Sequence, residues 1–136
     1  MPKLSAYRID PSIRHDGEWV ALGDEFGGIE IRTRGFTDAY TDAKNARLRQ
    51  VARAYAGDVM KIPTAAQREI VIEAMIAHVL VGVRGAQNDD GSDTTFAQFC
   101  DAIRLPDYED VYVAVVNACA QAGRARAEEV RAAAKN

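Results

Sequence analysis

The spacing of apolar and polar residues predicts a short β segment near the start of the chain. Residues 18–22 and 28–34 have the composition of two strands. The second alternates cleanly, with Ile29, Ile31 and Thr33 on one face and charged side chains on the other. The link of residues 23–27 contains glycine and has hairpin length. We therefore predict a β-hairpin whose apolar face lies against helices or a second copy of the chain.

The longest apolar pattern predicts a central helix over residues 64–84. Thr64 and Gln67 have capping-box spacing, and the segment from Ile70 to Val83 is apolar nearly all round. A second helix is expected from Thr37 to about residue 56, where Gly57 ends it. Because it is apolar nearly all round, the helix over residues 64–84 must be covered by protein on every side.

Two further helices are predicted in the last third of the chain. Thr95 and Gln98 repeat the capping-box spacing before a short segment that extends to residue 103. Pro106 then begins a long helix whose first turn carries Asp107, Glu109 and Asp110, acids that complement a helix dipole.

These patterns predict an α+β, mainly α protein, with an N-terminal β-hairpin followed by a bundle of about four helices. We expect an irregular lead-in over residues 1–16, because prolines and aspartates interrupt its scattered apolar residues and Gly17 follows directly. A single domain should occupy residues 17–123. Residues 124–136, rich in alanine, arginine and glutamate, are expected to form a helical tail.

Composition narrows the possible functions. The chain has 136 residues and a formal charge of -3, so it lacks the basic surplus that a general nucleic-acid-binding protein needs. Its two cysteines, Cys100 and Cys119, lack metal-ligand spacing and are typical of small core residues in an intracellular protein. The first residues contain no apolar leader, and no window is long enough for a membrane span. A cytoplasmic protein is expected.

The candidate reactive groups all have simpler structural explanations. His78 lies on the most apolar helix without a nearby nucleophile, which favours a hydrogen-bonded core side chain over a base. The acidic segment of residues 88–93 resembles a calcium loop, yet Ala86 and Ala97 occupy positions that require acids. We therefore predict no catalytic, metal or cofactor-binding residues, and hence no enzyme.

The order of elements resembles a family of tail assembly chaperones encoded by long-tailed bacteriophages and prophage-like gene clusters. The residues that carry this resemblance span about residues 17–123: Trp19-Val20, Ile29 to Arg32, Phe36 to Tyr40, Glu73-Ala74, His78 to Gly82, Asp90-Gly91, Phe96, Leu105 to Tyr108, Val111, Tyr112 and Val115. The resemblance implies a non-catalytic protein of the host cytoplasm that keeps the tape measure protein soluble and recruits tail tube protein to it. It also implies a longer frameshifted product, which would join after Gly123.

Apolar residues of the hairpin and the last helix are our candidates for partner contact, because aromatic anchors are enriched in interfaces. They are Trp19, Phe26, Ile29, Ile31, Tyr108, Tyr112 and Val116. The alternative for each is that it closes the core.

Two other functions stay open from the sequence. One is a structural tail completion or connector subunit, with hairpins pairing edge to edge in a homo-oligomer. The other is a small DNA-binding regulator that places one helix in the major groove, which the acidic balance disfavours.

Overall fold

The computed structural model describes residue 1 and residues 3–124, in which helices pack on one face of a three-stranded antiparallel sheet. The helices and strands, in chain order, are α1 (Pro11–Asp16), β1 (Glu18–Ala21), β2 (Glu30–Thr33), α2 (Asp38–Ala52), α3 (Thr64–His78), β3 (Leu80–Arg84), α4 (Phe96–Ile103) and α5 (Glu109–Gln121). Short 3-10 turns lie at Leu4–Tyr7, Asp24–Phe26, Arg53–Tyr55, Val59–Lys61 and Pro106–Tyr108.

The predicted hairpin is confirmed as the β1–β2 pair. Its antiparallel register places Val20 opposite Ile31 and Trp19 opposite Arg32. The alternation in β2 is also confirmed, since Ile31 and Thr33 are 0% exposed while Glu30 and Arg32 are half-buried. One face of the sheet therefore belongs to the core, and the other lies outside.

The core forms where α5 packs on the inner face of β1 and β2. Val115 of α5 meets Met75 of α3 and Ile31 of β2 in one buried cluster. Thr33 is the buried polar residue among them: its hydroxyl donates to Cys119 Sγ at 3.2 Å and accepts the N–H of Gly35 at 3.1 Å. The polar groups of Thr33 are thus satisfied within the core.

The prediction of one helix over residues 64–84 is wrong in its second half. Helix α3 ends at His78, and Leu80–Arg84 form β3, which pairs antiparallel with β2. The segment 79–83 is rich in valine and contains Gly82, a composition that favours a strand and disfavours a helix. Because β2 offers a second edge, pairing there satisfies this segment better than another helical turn.

The expected bundle is accordingly replaced by helices that pack around a sheet. The α+β, mainly helical class is confirmed, but a third strand separates α3 from α4 and extends the hairpin. Helices α2 and α3 pack against each other, whereas α4 and α5 lie against the strands.

Residues 1–16, expected to be irregular, include helix α1. Asp10 caps it by accepting the N–H of Ser12, and Pro11 occupies the first turn, which are both ordinary start signals. Arg14 of α1 donates to the backbone oxygen of Arg34 at 2.9 Å, so the lead-in is tied to the end of β2.

The helix caps agree with the sequence at two of three threonines. Thr37 caps α2 by accepting the N–H of Tyr40, and Thr95 forms a full capping box with Gln98. Thr64 is not a cap, because the first helical bond of α3 runs from Gln67 N–H to Pro63 O. The side chain of Gln67 donates instead to Ile62 O at 2.8 Å.

The helix predicted from Thr37 to about residue 56 ends earlier than expected. Helix α2 stops at Ala52, and a 3-10 turn continues to Tyr55 before the chain turns at Ala56 and Gly57, which both have positive φ. The predicted C-terminal tail lies outside the described residues from 125 onward.

Candidate functional site

A groove of about 390 Å³ lies between the start of β2, the loop after β3, helix α4 and the start of α5. Its apolar wall consists of Ile29, Phe99, Ala102, Tyr108 and Val111. Volumes of roughly 300–1,000 Å³ are typical of binding pockets. We call this hollow the Tyr108 groove.

Local sequence signals hold the polar wall of the Tyr108 groove in place. Asn88 begins the acidic segment of residues 88–93, and its side-chain amide donates to Ser92 Oγ at 3.1 Å and to Gln98 Oε1 at 3.0 Å. Gln98 Oε1 also accepts the N–H of Thr95, at the start of α4. The turn and the helix are thus linked by one shared side chain.

A close backbone contact holds the opposite side of the groove. Gly85, at φ +82°, follows β3, and a Cβ atom placed there would collide with the backbone oxygen of Gly28. Gly28 directly precedes Ile29 of the groove wall. The loop after β3 therefore fits against the hairpin only because residue 85 has no side chain.

The structure brings together two of the predicted contact residues, Ile29 of the hairpin and Tyr108 at the start of the last helical segment. Both line the Tyr108 groove, and Tyr108 is 46% exposed. Phe26, Tyr112 and Val116 are partly buried against the core instead.

The other two predicted contact residues lie elsewhere. Ile31 is 0% exposed, so it takes the core role that the sequence left open, because α5 covers its face of the sheet. Trp19 lies on the outer face of the sheet, where the guanidinium carbon of Arg84 is 4.1 Å from the ring centroid. Neither residue is near enough to the groove to line it.

The sequence does not identify the part of the wall that helix α4 and the loop before it contribute, which includes Asn88, Gln98, Phe99 and Ala102. The sequence indicates only a loop at residues 88–93 and a helix cap at Gln98, and it gives Phe99 and Ala102 no signal beyond their place in a short helix. Nothing in local periodicity distinguishes an apolar helix face that closes a core from one that borders a groove. The capping box of α4 was the one available signal of where that face begins.

A second hollow, of about 540 Å³, lies between α2 and α3. Its charged wall includes Glu69 and Glu73, which pair with Arg104 at 3.9 Å and 2.5 Å. His78 also lines it and is half-buried, with no hydrogen bond to its ring from residues 1 and 3–124. The expected hydrogen-bonded core histidine is therefore not what the structure contains.

The acidic turn of residues 88–93 is stabilised internally. Asp90 Oδ1 accepts from both the N–H and the hydroxyl of Ser92, and these hydrogen bonds, led by that of the hydroxyl, lower the pKa of Asp90. Within the described part of the chain, no three His, Cys, Asp or Glu side chains are grouped so that they could hold a metal ion.

Both cysteines are buried and free. Burial raises the pKa of Cys119 to about 11, against the opposing effect of the hydrogen bond from Thr33. Burial also raises the pKa of Cys100, while the nearby Arg104 acts in the opposite direction. At neutral pH both groups are therefore thiols.

We expect the native protein to react with a thiol reagent at pH 8 about a hundredfold more slowly than the unfolded chain, because thiolate is scarce and access is blocked. Ellman's reagent, with and without guanidinium, measures this directly, and the unfolded sample should release two equivalents. Rapid labelling of a single thiol in the native state would contradict the burial of that cysteine.

No helix in the described residues has the length and apolar character that crossing a membrane requires. The sequence model of a family described as YdaY prophage protein matches residues 36–136. The described part of that match begins after β2 and includes α2, α3, β3, α4 and α5. No curated protein and no solved structure gives a significant match.

Proposed function

The chain belongs to the YdaY prophage protein family, and from this premise we propose that it is a non-enzymatic tail assembly chaperone. It binds the tape measure protein during assembly of a long phage tail and helps to recruit tail tube subunits. Membership of a prophage family supports the phage origin, and the resemblance in residues 17–123 supports the assembly role.

The Tyr108 groove is the observation that carries this proposal. It is open to solvent and largely apolar, and it combines Ile29 of the hairpin with Tyr108 and Val111 of the last segment. A groove of this kind accepts apolar side chains from one face of an amphipathic helix. The tape measure protein, as a long helical client, offers such faces.

The charges beside the groove favour a client segment with basic flanks. Asp89 lines the groove, while Asp107 and Asp110 adjoin Tyr108 and Val111 in the chain. None of these three carboxylates forms an ion pair within the described residues.

The nearby basic side chains are already paired. Arg84 contacts Glu30 at 3.0 Å, and Arg68 contacts Glu109 at 3.1 Å. Among residues 3–124 no ion pair therefore neutralises the acidic rim of the groove, and lysine or arginine beside the apolar anchors of a client would complement it.

We expect Tyr108→Ala to weaken binding of the tape measure protein at least about tenfold, because exposed aromatic anchors carry much of the energy of an interface. The fold should survive, since Tyr108 is 46% exposed. Tyr7→Ala is the matched control, because Tyr7 is 45% exposed and does not line the groove. Co-purification with the tape measure protein of the same prophage, followed by titration, gives the two affinities.

The charge of the rim is tested separately. Asp107→Asn combined with Asp110→Asn should weaken binding at low salt and reduce its salt dependence, since fewer charges then face the client.

Wild-type affinity in the Tyr108→Ala protein would overturn the groove as the client site. A stoichiometric presence of the protein in purified particles would contradict the chaperone role and favour a structural subunit.

A further inference from the structure

The outer edge of β1 carries backbone groups that have no partner in the described residues. Leu22 N–H donates to Ile29 O, and in an antiparallel ladder every second residue is bonded in this way. Val20 and Glu18 therefore face β2, whereas the N–H and C=O groups of Trp19 and Ala21 point away from it. No described group donates to or accepts from them.

The side chains of β1 itself do not shield this edge. The indole of Trp19 lies on the outer face of the sheet and points away from the β1 edge, toward β3. There it lies against Arg84 and 3.6 Å from the Cβ position of Gly82. Ala21 contributes only an exposed methyl group. Glu18, the charged residue of the strand, is engaged with the N–H of Gly123 at 2.6 Å. The strand thus lacks the lysine, proline or bulge that usually protects an edge.

The opposite edge of the sheet is different. The β2–β3 register shifts between Arg32 and Thr33, which leaves Val81 as a bulge residue on β3. Bulges twist an edge away from further pairing. Helix α4 also packs against β3. Of the two edges of the described sheet, the β1 edge is the one prepared for pairing.

We propose that β1 pairs antiparallel with β1 of a second copy of this chain, around a two-fold axis at Val20. In this register, Trp19 of each copy lies opposite Ala21 of the other, and both are residues whose backbone groups point outward. Each such pair exchanges two hydrogen bonds, so the unpaired groups of both strands are satisfied by about four bonds. The two three-stranded sheets become one continuous sheet.

The side chains of the strand suit a second copy as its partner. Val20 meets Val20 of the other copy, and Glu18 lies opposite Leu22, so no like charges face each other across the axis. On the outer face, Ala21 of one copy lies opposite Trp19 of the other. Ala21 is small and the indole points toward β3, so the two side chains do not collide. Pairing β1 with β3 of another copy would instead produce an open chain of molecules, which the bulge in β3 opposes. This dimer does not depend on the proposed assembly role.

Sedimentation velocity over a range of concentrations tests the dimer. We expect the wild-type protein to reach twice the chain mass of 14.8 kDa. Ala21→Pro removes an outward N–H and should leave a folded monomer, because proline is tolerated where an edge N–H faces solvent. Ala21→Lys keeps every bond of the β1–β2 ladder and should also abolish the dimer, since a charged edge resists pairing. Ala46→Lys, at an exposed alanine of α2, is the matched control and should stay dimeric.

Circular dichroism shows which variants remain folded. If Ala21→Pro unfolds, the oligomeric state of Ala21→Lys tests the dimer in its place. Hydrogen exchange adds a local readout, because the amides of Trp19 and Ala21 should gain protection as the protein concentration rises. A wild-type monomer at millimolar concentration, or a dimer unchanged in the folded Ala21 variants, overturns the proposal. So does a series of larger species, or protection of these amides that appears only when the tape measure protein is added.

Discussion

Replacing Ile31 with alanine should lower the free energy of unfolding by about 2–5 kcal/mol, the range measured for deleting a large aliphatic side chain from a packed core. Ile31 is 0% exposed and lies in the cluster that includes Met75 and Val115. The cavity left by the lost methyl groups would be bordered by β2, α3 and α5 at once, so no single side chain can fill it. Urea denaturation, analysed with a common slope, measures the change.

Ile29→Ala is the matched control, because the same kind of side chain is removed two residues earlier, directly before β2 begins at Glu30. Ile29 is half-buried at the wall of the Tyr108 groove, so its loss should cost about 1 kcal/mol. Binding of the tape measure protein should respond in the opposite order, with Ile29→Ala weakening it more than Ile31→Ala does in samples that remain folded. Equal losses of stability would mean that Ile31 is not the core residue that its burial indicates.

The parts of the fold predicted correctly from sequence are those determined by neighbouring residues. Thr37 and Thr95 cap their helices because each hydroxyl accepts the backbone N–H of the residue three positions along the chain. The hairpin follows from alternation in β2 and from a short glycine-containing link. None of these features requires a distant part of the chain.

The switch from α3 to β3 could not be obtained in this way. Residues 79–83 satisfy a helix pattern and a strand pattern about equally, because an apolar run has no periodicity to separate them. The choice is made by β2, nearly fifty residues earlier, whose free edge pairs with this segment. Gly82 and the valines around it are the features of the sequence that disfavour a helix in this segment.

The candidate site shows the same division. Ile29 and Ile31 occupy equivalent positions in the pattern, and only the placement of α5 buries one while the other borders a groove. The sequence indicates Tyr108 as an aromatic residue near a helix start, but neither its 46% exposure nor its place at the groove can be obtained from it. Sequence thus indicated candidate residues for an interface, while the position of the groove between them required the tertiary structure.

Gly85→Ala should destabilise the protein by about 2–5 kcal/mol, the sum of a strained backbone and a steric collision. Its φ of +82° is unfavourable for alanine, and the new Cβ would collide with the backbone oxygen of Gly28 and lie 2.9 Å from its carbonyl carbon. Both neighbours are main-chain atoms, so they cannot rotate away as a flexible side chain could. The hairpin and the loop after β3 must separate, which should also distort the Tyr108 groove beside Ile29.

Gly91→Ala separates these two effects. Gly91 has a φ of +85°, almost the same as that of Gly85, but a Cβ there meets nothing within 4 Å. It should therefore lose only the conformational part, about 1 kcal/mol, and keep the affinity for the tape measure protein. Chemical denaturation and the binding titration on both variants give the comparison. If the two alanines cost the same, the contact between Gly85 and Gly28 contributes nothing to the fold, and the groove must be held together by the Asn88 and Gln98 hydrogen bonds alone.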